Sequence, residues 1–283
     1  MSLARRIGAA LREGLAEEAS TRSSALLRIG AVLLLWSRFA AEWSLFIDIE
    51  PWKAALSLAF YLFTPLFLIG WASRWTGLGT AVTALLLSHH VGMTRGFEPY
   101  QHHHVVALTI GVALIALLPT GRSWSVDRAL ALRRSARTGS PPPPERGPTW
   151  ARHLLTLHVV CIYAYGTLAK LSPAYLRGDR FTHYLMRLYL GSDLPDGRWF
   201  APVMAGMAWG SVLIEPFIAM GLLVPRLRAA AIIVGLGFHG LIYWTLPVGT
   251  FSLTMALFYL AAIPPDRFEA GLRWLEGQRP APG

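Results

Sequence analysis

Apolar residues occupy this chain in long blocks, and the polar residues between them fall in short clusters rich in Arg, Gly and Pro. A helix needs about 20 apolar residues to cross a hydrocarbon core. On that measure the blocks predict eight helices, over 24–43, 53–72, 77–95, 103–120, 152–171, 201–223, 227–246 and 248–264. The expected fold class is an all-α integral membrane bundle of about eight transmembrane helices, in two groups of four joined by a cytoplasmic Arg/Pro-rich loop over 121–151.

Charge gives the blocks a direction. The connection from Arg122 to Thr149 holds Arg122, Arg128, Arg133, Arg134, Arg137 and Arg146 against Asp127 and Glu145, so the positive-inside rule puts it in the cytoplasm. Alternation from there makes both termini cytoplasmic in a multi-pass protein of the cell (inner) membrane. Pro141–Pro144 reads as a stiff spacer between the two helix groups. The segment 172–200 disagrees in sign, with Arg177, Arg180, Arg187 and Arg198 on the outer side, and reads as an amphipathic stretch on the membrane surface. A net charge of +10 over 283 residues suggests nucleic acid at first sight. Its placement in loops makes it a topology signal instead, and no nucleic-acid partner is expected. Cys161 is the single cysteine and excludes a disulfide framework or a Cys-based metal site. Met1–Thr21 lacks the apolar core of a signal peptide, and the preference for Arg over Lys hints at a bacterial, GC-rich genome.

Ionisable groups inside spans are costly, so each calls for a partner, water or a function. Only two residues are lysines, Lys53 and Lys170, and Lys170 ends an apolar run. An amine can be made neutral by its surroundings and act as a base, whereas guanidinium stays protonated; the structural alternative is a lysine that snorkels to the interface. With the inferred orientation, Lys170, His89, His90, His102, His103, His104, His239, Tyr243 and Arg38 all fall toward the outer leaflet. Tyr163, Gly166 and Lys170 share one helical face, and Gly166 would let a helix or a flat ligand approach beside the amine. His158 lies about 18 Å lower and cannot join them. Arg28 and Glu215 fall deeper, at depths compatible with a buried structural ion pair. Neighbouring histidines on a helix point about 100° apart, so His102–His104 cannot all hold one ion. Haem ligation by His90 with His239 is geometrically open, yet no metal is expected.

The run Lys170-Leu171-Ser172-Pro173-Ala174-Tyr175-Leu176-Arg177-Gly178 resembles the Lys-Leu-x-x-x-Trp-x-x-Gly element of vitamin K-dependent gamma-carboxylases and of the wider horizontally transferred transmembrane domain (HTTM) family, with Tyr175 in place of Trp. His103-His104-Val105-Val106, Trp124-Ser125-Val126-Asp127 and the early Arg28 agree in order. The resemblance implies an HTTM-like domain over 24–265, flanked by cytoplasmic segments 1–23 and 266–283. It makes Lys170 the base that deprotonates vitamin K hydroquinone or another membrane quinol, with His103 or His104 beside it. Tyr163, Gly166, Tyr175, His90, His239 and Tyr243 are then the expected cofactor-binding residues. Oxygen-dependent carboxylation or epoxidation would follow, with lipid, quinol and a secreted Glu-containing peptide as partners. The animal enzymes carry a large luminal domain after the membrane part, whereas this sequence continues only over 266–283, so substrate capture by that route is not expected. A non-catalytic quinone-binding or peptide/toxin-maturation membrane protein is the alternative, and a transporter built on Glu215 and Arg28 the third.

Overall fold

A computed structural model of the chain describes residues 14–40, 50–94, 103–191, 195, 197–246 and 248–277, without the side chains of 90–94 and 103. A helix stands on each of the eight predicted stretches: α1 (Arg22–Phe39), α2 (Pro51–Ile69), α3 (Ser73–Thr94), α4 (His103–Ala116), then α6 (Trp150–Lys170), α9 (Phe200–Leu223), α10 (Arg228–Thr245) and α11 (Gly249–Ala262). Among the described residues, α2, α9 and α10 are long and apolar enough to cross a membrane, and α11 and most of α4 are shorter apolar helices. The chain is a helical membrane protein.

The residues divide into two compact units, 1–156 with 253–283, and 157–252. This corrects the expected two groups of four, because α11 returns to the N-terminal unit. The reason lies in two glycines. A Cβ on Gly30 of α1 would stand 2.5 Å from Leu257, and one on Gly111 of α4 would collide with the Phe258 ring. The last helix fills grooves that the first ones leave open. Arg152, buried in the same unit, donates to Ser23 Oγ (2.6 Å) and to the carbonyls of Leu260 (2.9 Å), Ala261 (3.1 Å) and Ile263, capping the orphan carbonyls at the end of α11.

Within the first unit, Arg28 is wholly buried. Its guanidinium donates to the carbonyls of Thr120 and Trp124, the latter at 2.6 Å. Asp127 accepts from the backbone N–H groups of Ala72 and Ser73 (2.8 Å each) and from Ser73 Oγ (2.7 Å), satisfying donors at the start of α3. Gly70 closes α2 in the left-handed region at φ 70°, where a side chain is strained. A Cβ there would also stand 2.6 Å from the Arg28 guanidinium. Gly70→Ala is therefore expected to cost about 1–3 kcal/mol, read as a lower unfolding temperature in detergent; an unchanged temperature would show that Arg28 moves aside freely.

The predicted cytoplasmic loop is no simple spacer. It carries α5 (Val126–Thr138) and a strand, β2 (Arg146–Pro148), that pairs antiparallel with β1 (Glu18–Ser20), Glu18 opposite Pro148. Arg22 of α1 faces Glu145, Glu269 and Glu276, Arg128 also reaches Glu145, and Arg146 of β2 faces Asp266, so the loop is fastened to α1 and to α12 (Pro265–Leu275). In the second unit, the segment expected on the membrane surface folds into α7 (Pro173–Leu176), α8 (Asp179–Leu185) and a π-helical turn, Met186–Leu190. It packs along the first half of α9, with Gly178 against Met204 and Ala205.

Candidate functional site

The element from Lys170 to Gly178 is a folded corner. Lys170 is the last residue of α6; Ser172 then caps α7 by accepting from the Tyr175 N–H at 3.3 Å, with Pro173 at the first helical position. Gly178 follows at φ 87°. A Cβ on Gly178 would stand 2.6 Å from the Ala205 backbone nitrogen, so the corner lies directly on the α9 main chain. Only glycine meets both demands. Tyr175 is thereby held against α9, its hydroxyl 2.8 Å from Ser211 Oγ. Burial pushes the Tyr175 hydroxyl above the ordinary tyrosine range, with the Ser211 bond working the other way, so it remains a phenol at neutral pH.

Behind the corner, the Lys170 ammonium pairs directly with Oε1 of Glu215. The lysine side chain is 25% exposed and the carboxylate 7%, so the amine covers the acid. The other carboxylate oxygen lies over Gly166, where a Cβ would stand only 3.2 Å from it. Further along the same face of α6, the buried Tyr163 hydroxyl meets Nε2 of the buried His239 on α10 at 2.7 Å. Phe251 and Phe238 stand edge-on to that imidazole at 5.4 and 5.5 Å. The Lys170 charge acts on His239, and that of Glu215 on Tyr175. An amine, a carboxylate, two phenols and an imidazole thus share one apolar neighbourhood, a donor and acceptor set suited to exchanging protons with a hydroxyl-bearing ring.

Two expectations need correction. Arg28 and Glu215 are not each other's partners: Arg28 is held by the carbonyls of Thr120 and Trp124, and Glu215 by Lys170. The depth assigned to Glu215 assumed that α9 begins level with the end of α6. Because Tyr175 and Gly178 lie along its earlier turns, Glu215 comes level with Gly166 and Lys170 instead. Likewise, the close approach that Gly166 permits is made by the Glu215 carboxylate.

The remaining predicted residues are distributed as follows. Tyr163, Gly166, Lys170, Tyr175, Glu215 and His239 all belong to the second unit, as does Tyr243, which is 45% exposed and rests edge-on against Trp244, outside the buried group. His90, His103 and His104 belong to the first unit; the side chains of His90 and His103, and all of His102, lie outside the described residues. His104 is half-buried at the start of α4, and His89 is exposed. The Tyr163–His239 and Tyr175–Ser211 bonds were not foreseen as pairs, although Tyr163 and His239 both carried the signal of a polar ring in an apolar helix.

The HTTM-domain model matches residues 37–266 of the chain. This protein belongs to the HTTM-domain family. The matched stretch of the HTTM protein takes in Lys170, Glu215, Tyr163 and His239, and begins after Arg28. HTTM domains occur in vitamin K-dependent carboxylase-like membrane proteins. No curated protein and no solved structure matches the chain.

Proposed function

We propose that this HTTM protein is a quinol-using membrane enzyme of the vitamin K-dependent carboxylase type, with Lys170 as the base. The observation that carries the proposal is the neighbourhood of Lys170. The only lysine other than Lys53 lies among Glu215, Tyr163 and His239, all within apolar helices, and Tyr175 of the adjoining corner. Deprotonated, the quinol would supply the reducing power for oxygen-dependent carboxylation or epoxidation. The chain's part is to bind a flat apolar ring, orient its hydroxyl toward the Lys170 amine and keep water from competing. The Tyr163 hydroxyl and His239, fixed on one another, would orient such a ring. The setting we propose is an inner-membrane protein of eight spans with cytoplasmic termini, its site open to the outer half of the bilayer and acting on a secreted Glu-containing peptide or a smaller substrate.

The test is direct. Purified protein supplied with vitamin K hydroquinone, oxygen and carbonate is expected to consume the hydroquinone and form its epoxide. Binding without consumption would favour the non-catalytic quinone-binding alternative, for which the Lys170–Glu215 pair, with its charges mutually neutralised, is the supporting observation.

A further inference from the structure

We infer that Glu215 is the proton acceptor standing behind Lys170, so that the proton-accepting unit of the site is the pair and not the amine alone. This rests on Lys170 being the base, as proposed above. Three features of the second unit lead to it. The carboxylate touches the ammonium directly. It is the more deeply buried of the two, and the amine is the part left accessible. The absence of a side chain at Gly166 is what lets the carboxylate sit against α6 beside the amine, since a Cβ would crowd it at 3.2 Å. The other groups around the pair are Thr167, which reaches the Glu215 carboxylate, with Tyr175 and His239 within electrostatic range.

A salt bridge in an apolar setting carries a desolvation cost that its neutral form avoids, and the two forms differ by a single proton. In the first movement an N–H bond of the Lys170 ammonium breaks and an O–H bond forms on Glu215, leaving a neutral amine and a carboxylic acid. In the second, the amine takes the proton of a ligand hydroxyl and becomes ammonium again. The sum is one proton moved from ligand hydroxyl to Glu215, with no change of oxidation state. Glu215 acts through Lys170 and has no need to touch the ligand.

Infrared difference spectroscopy of the carboxylic-acid carbonyl stretch, on the full chain in lipid, tests this against Glu215→Gln. In the resting state the acid band is expected to be absent from the wild type. It is expected in Lys170→Met, where the carboxylate has lost its cation and is protonated from solvent. Menadiol added without oxygen is expected to raise the same band in the wild type, to raise a shifted one in Glu215→Asp, and to raise none in Glu215→Gln. If menadiol loses its proton and no acid band rises, the amine holds the proton alone and Glu215 is only its counter-ion; that overturns the inference and leaves Lys170 as the base. If menadiol keeps its proton and no band rises, the base assignment falls and this inference with it.

Discussion

Lys170→Arg is expected to lower hydroquinone-dependent turnover about 10²–10⁴-fold, the usual contribution of a positioned general base, and to fall as far as Lys170→Ala does. Guanidinium keeps the positive charge and can still pair with Glu215, but it does not give up its proton at any pH a protein survives. Stability separates the two variants. Lys170→Ala removes the cation from the buried Glu215, which must then take up a proton or stay charged and unpaired, and losing one partner of a buried pair costs up to about 3–5 kcal/mol, whereas Lys170→Arg keeps a cation there and is expected to melt close to the wild type. Turnover and unfolding temperature measured on the same preparations therefore distinguish a lost base from a lost fold. An arginine variant that retains most of the activity would reduce Lys170 to an anchor.

Arg28→Ala is expected to be the most destabilising single substitution in the first unit. The wild-type guanidinium is wholly buried and bonded to the carbonyls of Thr120 and Trp124. Hydrogen bonds from a charged group contribute about 1.5–3 kcal/mol each, so losing both, with the buried Thr120 carbonyl left unpaired, amounts to about 3–6 kcal/mol. Arg28→Lys offers one nitrogen where the fork offers two and is expected to recover part of the loss. The measurement is thermal unfolding in detergent, followed by circular dichroism. A wild-type melting temperature in Arg28→Ala would mean that those carbonyls find other donors.

Helix positions were legible in the sequence because apolar block length is a one-dimensional property. Even the corner after Lys170 announced itself through Ser172, Pro173 and Gly178, whose roles as cap, first helical residue and left-handed turn depend on local chemistry. The proximity of Tyr163, Gly166 and Lys170 followed from the helical period, and the structure adds His239 and Glu215 to them. What stayed hidden depended on how far one helix slides past another. Glu215 was assigned to Arg28 because depth was counted along α9 as though every span began at the same level. The position of α7 and α8 beside α9 shifts that count, and nothing in the apolar pattern of 201–223 records it. The grouping of helices was hidden for a similar reason: that Phe258 fits Gly111 and Leu257 fits Gly30 is a match of shapes from opposite ends of the chain. The helix, strand and ion pairs within the Arg/Pro-rich loop stayed hidden because its charges report topology and say little about which acidic partners they find.

The way α11 completes the first unit also sets a timetable for synthesis. Helices α1 to α4 leave the ribosome more than a hundred residues ahead of Leu257 and Phe258, and until those two side chains arrive the hollows at Gly30 and Gly111 lack the groups that fill them. The second unit, 157–252, has both its chain ends inside that waiting period. Quality control that senses unfilled grooves between helices would therefore see a nascent chain stalled or truncated before residue 257 as incomplete, even though its first four helices and all of the second unit had already been made.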